Sequence, residues 1–173
     1  SLNTASYANL LQTTSPRHIA LSSDGRRLFI LGATGPSVYQ YTLNSPWSIA
    51  VAFHANTGGV NYSSTTAAPI DTLTAGGFSF NSDGTQMFVV SSATDIVKTY
   101  TLTTAWDVTT AVLKHTNTTE STVNSAWYNN DGTKMYVMGN TNDTIYQYSL
   151  STAWDLSTAS YDSVSKSVTA QDT

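Results

Sequence analysis

Apolar residues in this chain fall into short runs that recur in the same order and are separated by turn-forming residues. Three segments, which begin at Leu21, Phe80 and Tyr128, contain in turn an Asp-Gly pair, an apolar run, an alternating run that ends in Tyr-x-Leu, and a tryptophan. No insertion or deletion separates the three copies over this stretch. Such a repeat predicts one supersecondary unit that packs against its own copies.

Each copy predicts four short strands. The first strand leads into an Asp-Gly turn, which is a strong hairpin signal between apolar runs because both residues tolerate positive φ. The second strand is apolar at consecutive positions, which predicts burial of both its faces. The third strand alternates more clearly, and the fourth, after the tryptophan, is more polar. The turn residues are Asp24 and Gly25, Asp83 and Gly84, and Asp131 and Gly132.

The spacing of the turns gives the period of the repeat. Asp83 and Asp131 are 48 positions apart, whereas Asp24 and Asp83 are 59 positions apart, so the first interval carries an insertion. Four strands in a repeat of about this length, with a polar outermost strand, are typical of a β-propeller blade. The sequence therefore predicts an all-β fold of β-propeller-type blades, each with four antiparallel strands.

The two ends of the chain predict one further strand. Residues 1–7 read SLNTASY and match DLSTASY at residues 155–161, where the fourth strand of the third copy begins. We therefore expect three blades plus one extra outer strand per chain. The predicted segments are the outer strand 1–14, blade one 15–56, an insertion 57–76, blade two 77–118 and blade three 119–173.

Three blades are too few to close a propeller ring, which typically has four to eight. The open blade faces would be apolar, and large apolar faces mark interaction surfaces. We therefore expect them to be covered either by identical chains or by further blades outside this chain. A homodimer with six blades is the simplest closed solution, and a trimer with nine blades is the next.

Composition narrows the classes of function. Charged residues make up only 10% of the chain, and the net charge of -4 comes with no basic stripe, which argues against nucleic-acid binding. No apolar run approaches the roughly 20 residues of a membrane-spanning helix. The sequence has no cysteine, which excludes disulfides and cysteine zinc sites. Low charge and abundant Ser, Thr and Asn favour an extracellular or virion surface location.

The turn motif Asp-Gly-x-x-[Met/Leu]-[Phe/Tyr]-[Val/Ile] resembles the YVTN-like and lactonase-type propellers. The copies that end in Trp-Asp-x-[Ser/Thr]-Thr-Ala, at residues 79–110 and 127–161, are most similar to repeats in tail-associated or surface proteins of marine bacteriophages and bacteria. The first copy departs from this pattern at Arg26, at residues 35–37 and at Ser48. The resemblance implies a propeller fold, on which both enzymes and passive binders are built.

The repeated aspartates and tryptophans have structural explanations. Asp in an Asp-Gly turn bonds to local backbone, and Gly relieves φ strain, so we interpret these pairs as turn residues rather than as acid/base groups. Trp47, Trp106 and Trp154 recur at one position of each copy, which predicts wedges between neighbouring blades, with sugar stacking as the alternative.

Three aromatic residues are the candidate ligand-binding positions. Trp127 lies in the first strand of blade three beside Tyr128, where the other copies have Ala20 and Ser79, and it would be a channel filler or a ligand platform. Tyr62 lies in the insertion, where a long loop on a rigid scaffold could bind a partner or pad an interface. No catalytic residue, metal site or cofactor is predicted.

These observations predict a non-enzymatic binding and assembly module of an extracellular or virion surface structure, which presents loops to a glycan or a cell-surface receptor. A purely structural, self-assembling fibre or sheath subunit is the alternative. A lactonase-type hydrolase is a less favoured third interpretation.

Overall fold

A computed structural model describes residues 16–32, 37–54, 60–61, 75–91, 94–118, 123–139 and 143–169. The predicted outer strand 1–14, Tyr62 and most of the predicted insertion lie outside the described residues.

The described residues form three sheets, one for each copy of the repeat. Every sheet contains four antiparallel strands in chain order, which confirms the predicted blades. Blade one contains β1 (Pro16–Leu21), β2 (Arg27–Gly32), β3 (Ser37–Ser45) and β4 (Ser48–His54), with the short β5 (Val60–Asn61) at its outer edge; blade two contains β6 (Ala75–Phe80), β7 (Gln86–Ser91), β8 (Ile96–Leu102) and β9 (Ala111–Thr118); blade three contains β10 (Val123–Tyr128), β11 (Lys134–Gly139), β12 (Thr144–Leu150) and β13 (Ala159–Ser167).

Blade one differs from the other two at its outer edge. In blade two a single strand, β9, pairs with the whole of β8, from Leu102 to Ile96. In blade one β4 pairs with the second half of β3, and β5 pairs with Ser37 and Val38. The described outer edge of blade one therefore comes from two segments, β4 and β5. Its last part lies within the segment that the sequence predicted as an insertion.

Each Asp-Gly pair forms the same turn. In blade one the Gly25 N–H donates to the carbonyl of Ser22 at 2.8 Å, and Asp24 Oδ1 accepts from the backbone N–H of Arg26 at 2.9 Å. Gly25 has φ +67°, whereas Asp24 does not have a positive φ. The sequence argument gave both turn residues this freedom; in the structure only the glycine uses it, and the aspartate satisfies a backbone donor instead.

A tryptophan covers the glycine of every turn. Trp106 has φ +62°, and its backbone N–H donates to the carbonyl of Gly84 at 2.8 Å. A Cβ at Gly84 would lie 2.2 Å from the indole, so the position needs glycine both for its φ of +72° and for the space. Trp47 over Gly25 and Trp154 over Gly132 repeat this arrangement.

Most of the described apolar core falls into two clusters, and each of them lies between two blades. One cluster joins blades one and two, and the other joins blades two and three. Trp106 packs on Phe29 of the preceding blade, with ring centroids 6.4 Å apart, and Trp154 packs on Phe88 of its preceding blade at 6.0 Å. The inner strands β1, β6 and β10 are neighbours, so the blades are arranged side by side about a common inner edge.

Truncating Trp106 to Ala should lower the free energy of unfolding by about 3 to 5 kcal/mol, because it removes a large side chain from between two blades. Trp47→Ala is the matched control, since Trp47 has the same φ and the same bond to its glycine but is mostly exposed. It should cost about 1 kcal/mol or less. Urea denaturation measures both, and equal losses would contradict a role between blades.

Replacing Gly84 with Ala should destabilise the protein by about 2 kcal/mol or more, because it adds a Cβ at positive φ against the indole of Trp106. Gly77→Ala is the control, since a Cβ there meets His18 at an ordinary 3.5 Å. That change should stay within about 1 kcal/mol. Thermal denaturation of the two variants gives the comparison, and a neutral Gly84→Ala would contradict the described turn.

Candidate functional site

The two end blades expose large apolar side chains. On blade one Ile19, Trp47 and Ile49 are 61%, 64% and 72% exposed. On blade three Trp127 and Met138 are 59% and 39% exposed. The remaining exposed large apolar residues of the described chain, Val112 and Val164, belong to the outer strands β9 and β13.

The exposed surface of blade three is a continuous apolar patch. Trp127 pairs across the sheet with Tyr136, and their ring centroids are 5.8 Å apart. Met138 pairs with Ile145 on the neighbouring strand. Together with Ser125 these residues line a shallow open depression of about 160 Å³.

In the other two blades the same positions are buried. We define the forward face of a blade as the one that carries Phe29, Leu31 and Val38 in blade one, or their counterparts at equal distances from the Asp-Gly turn. These counterparts are Phe88, Val90 and Val97 in blade two, and Tyr136, Met138 and Ile145 in blade three. The forward faces of blades one and two pack into the two apolar clusters between blades. The forward face of blade three therefore has the composition of an internal interface but is exposed.

Blade one exposes a part of the opposite kind of face. We define the back face as the one that carries Ile19, Trp47 and Ile49 in blade one; the counterparts are Phe78, Trp106 and Val108 in blade two, and Ala126, Trp154 and Leu156 in blade three. Phe78, Val108 and Leu156 are buried against the preceding blade. Tyr41 and Leu43, which belong to the same face of blade one, are themselves buried. The exposed large apolar side chains of this face are thus Ile19 and two residues of the tryptophan corner, Trp47 and Ile49, where the chain turns after β3.

Polar contacts between blades accompany the apolar ones. Gln40 Oε1 accepts from the backbone N–H of Val108 at 2.9 Å, and Arg27 Nη1 donates to the carbonyl of Trp106 at 2.6 Å. Both contacts run from the forward face of blade one to backbone groups of the back face of blade two. They fix the register of the interface in addition to the apolar packing.

Two of the predicted ligand-binding residues, Trp127 and Tyr128, lie on opposite faces of blade three. Trp127 lies exposed on the forward face of blade three, whereas Tyr128 is buried against Phe88 on the back face, with ring centroids 4.4 Å apart. Successive residues of a strand point to opposite faces, which explains the separation. Burial raises the pKa of the Tyr128 hydroxyl well above its usual value. Tyr62 lies outside the described residues.

The carboxylates of the repeat serve local structure. Hydrogen bonds from Ser22, Thr85 and Thr133 are the main cause that lowers the pKa of the carboxyls of the turn residues, which are Asp24, Asp83 and Asp131 respectively. Among the described residues no group of three or more His, Cys, Asp or Glu side chains is placed to hold a metal ion. In the same part of the chain no helix is long and apolar enough to cross a membrane.

Of the exposed apolar residues on the end blades, Trp127 was predicted as a ligand-binding residue and Trp47 as a blade wedge. The prediction missed Tyr136, Met138, Ile145, Ile19 and Ile49. These five look like core residues in the sequence, because their counterparts in the inner interfaces are core residues. The signal that identifies them is their position in an end blade, on the face that has no neighbour among the described residues.

Solved structures with the same arrangement of strands decide the fold. The β-propeller domain from Myceliophteria thermophila matches with a TM-score of 0.55 and 11% identity over 88% of this chain and 43% of its own. The fold is that of β-propeller blades. The periplasmic gluconolactonase of Pseudomonas aeruginosa matches with a TM-score of 0.60 and 15% identity, over 84% of this chain and 37% of its own. A candidate 6-phosphogluconolactonase from Bacteroides fragilis matches with a TM-score of 0.63 and 15% identity, over 88% and 39%.

At these identities the likeness concerns the fold alone. This chain spans about two-fifths of the length of the solved structures it matches. No protein-family model and no curated protein matches the sequence.

Stability should depend on pH through His18, which packs edge-on against Phe78 of blade two with ring centroids 5.2 Å apart. Burial lowers the pKa of its imidazole from the ordinary 6.5, so the folded protein favours the neutral form. This contribution to stability is complete above pH 6.5 and is lost as the pH falls towards the lowered value. His18→Gln should therefore lose less stability than the wild type between about pH 7.5 and about pH 5. Equal losses, measured by urea denaturation, would contradict this assignment.

Proposed function

We propose that this chain is a non-enzymatic binding and assembly module of an extracellular or virion surface structure. Its end blades pair with further blades, and its loops are presented to a glycan or a surface receptor. One observation carries the proposal: Ile49 on blade one and Met138 on blade three are exposed at positions whose counterparts are buried between blades. Large exposed apolar patches of this kind favour an interaction surface.

The state of the acidic residues favours binding over catalysis. A general acid or base needs a pKa near the operating pH, whereas the turn aspartates have lowered pKa values and are held by hydrogen bonds in their own turns. A lactonase-type hydrolase remains the less favoured alternative, and its support is the likeness of fold to a gluconolactonase.

A purely structural fibre or sheath subunit is the second candidate, and the surface around Trp127 favours it. The depression there is lined by Tyr136, Met138 and Ile145, with Ser125 as the polar side chain of the set. A sugar needs several placed polar groups, whereas another blade needs an apolar surface. The extracellular or virion location rests on the low charge of the chain.

The assembly part of the proposal predicts a solution mass that is a multiple of the chain mass, measured by light scattering. The binding part predicts that the wild-type protein is retained on an array of glycans or cell-surface receptors. A monomeric mass together with no retained ligand would contradict the proposal. Hydrolysis of a gluconolactone above the buffer rate would instead favour the enzyme alternative.

A further inference from the structure

We propose that the contact between blades two and three is a binding site for an ordered water molecule, held by Gln86, Thr99 and Tyr128. The site lies inside the chain, so it is independent of the proposed function and of whatever covers the two end blades. Its role is to let two blades with different polar side chains keep the same packing.

Three buried polar atoms carry the inference. Gln86 Oε1, Thr99 Oγ1 and the Tyr128 hydroxyl oxygen are buried, and none of them has a hydrogen-bond partner among the described residues. Thr99 as a whole is 1% exposed and Tyr128 is 6% exposed. An unpaired buried polar atom costs free energy, so such atoms in native proteins are nearly always bonded to protein or to water.

The three residues surround one side chain, Phe88 of β7. Thr99 pairs with Phe88 across the sheet. Gln86 precedes Phe88 by two positions in the same strand, so both side chains point to the forward face of blade two. The Tyr128 ring packs on Phe88 from the back face of blade three, with ring centroids 4.4 Å apart. The unpaired atoms therefore belong to one region of the contact between these blades.

Longer polar side chains occupy the same positions in the contact between blades one and two. Gln40 takes the position of Thr99, and its Oε1 accepts from the backbone N–H of Val108 at 2.9 Å. Arg27 takes the position of Gln86, and its guanidinium donates to a backbone carbonyl of blade two at 2.6 Å. Among the described residues the shorter Thr99 and Gln86 side chains make no such bond to blade three.

The facing blade changes in the complementary sense. Tyr128 adds a hydroxyl where blade two has Phe80. Leu156 takes the position of Val108, so by the repeat its backbone N–H lies opposite Thr99 instead of a glutamine. Side-chain length is thus removed from one face, and a polar group is added to the other.

The spacing of the blades does not compensate for the shorter side chains. The ring centroids of Phe88 and Trp154 are 6.0 Å apart, and those of Phe29 and Trp106 are 6.4 Å apart. The second aromatic neighbour lies 4.4 Å from Phe88 and 4.6 Å from Phe29. Because both contacts have nearly the same aromatic packing, the shorter polar side chains leave room between blades two and three. Buried waters fill such places and make about three hydrogen bonds to groups that would otherwise be unpaired.

Two backbone amides test the site in the wild-type protein. The Leu156 amide should show cross-relaxation with a long-lived water in NMR, because the water takes the place that the Gln40 oxygen has beside Val108. The Val108 amide should show none, since Gln40 accepts its proton. No signal at Leu156, or the same signal at both amides, would overturn the inference.

Two conservative substitutions test the site by the sign of their effect. Thr99→Val and Tyr128→Phe each remove one hydroxyl and keep a similar side-chain shape. If water joins these hydroxyls to the rest of the contact, each variant should lower the folding equilibrium constant by roughly two- to tenfold, measured by urea denaturation. If the hydroxyls are dry, their removal should leave that constant unchanged or raise it, and the inference is wrong.

Thr101→Val is the matched control, because Thr101 lies on the same strand and the same face as Thr99 but is exposed. It should change the folding equilibrium constant by about twofold or less. A loss as large as that of Thr99→Val would show that the substitution itself, and not a bound water, weakens the strand.

Thr99→Gln restores the side chain that blade one uses at this position. In the folded variant the water signal at Leu156 should disappear, because the glutamine oxygen replaces the water. A signal that persists would contradict the placement of the water beside Thr99. Circular dichroism checks that the variant is folded, and if it is not, the wild-type amides and the two hydroxyl variants decide the question.

Discussion

Burial of each blade face against the next blade is the interaction on which the rest of the structure depends. Both apolar clusters of the described chain lie between blades, and the side chains of β7 in blade two, which has a neighbour on either side, are nearly all buried. A single four-stranded sheet cannot bury either of its own faces, so it has no core until another blade packs on it. Blade stability is therefore a property of neighbouring pairs, as in other repeat proteins.

The tryptophan corner links local turn chemistry to this packing. The turn at Gly84 needs a positive φ. The backbone N–H of Trp106 donates to the carbonyl of Gly84, and the Trp106 indole packs on Phe29 of the preceding blade. In blades two and three a short 3-10 turn follows, which is capped by Asp107 or Asp155. The same turn brings Val108 to the Gln40 side chain of blade one. One corner thus sets both the apolar and the polar contacts between blades.

The repeat pattern could predict the blades and their turns because each of them depends on residues close in the chain. The exposure of individual side chains could not be predicted in the same way. Met138 and Val90 occupy the same position of the repeat, but Val90 is buried against blade three, whereas Met138 has no neighbouring blade among the described residues. The separation of Trp127 from Tyr128 follows from strand alternation and could have been anticipated. The pairing of β5 with β3 could not, because the pairing residues lie within a segment that has no counterpart in the other copies.

The most direct test of the central claim is native-state hydrogen exchange, resolved by strand, at a protein concentration that keeps copies apart. If contacts between blades supply the stability, amides of β7 and β8 should exchange most slowly, because both faces of blade two are covered. Amides of β11 and β12 should exchange faster, and their protection should rise when copies associate. Equal protection in the three blades would show that each sheet is stable by itself and would contradict the account.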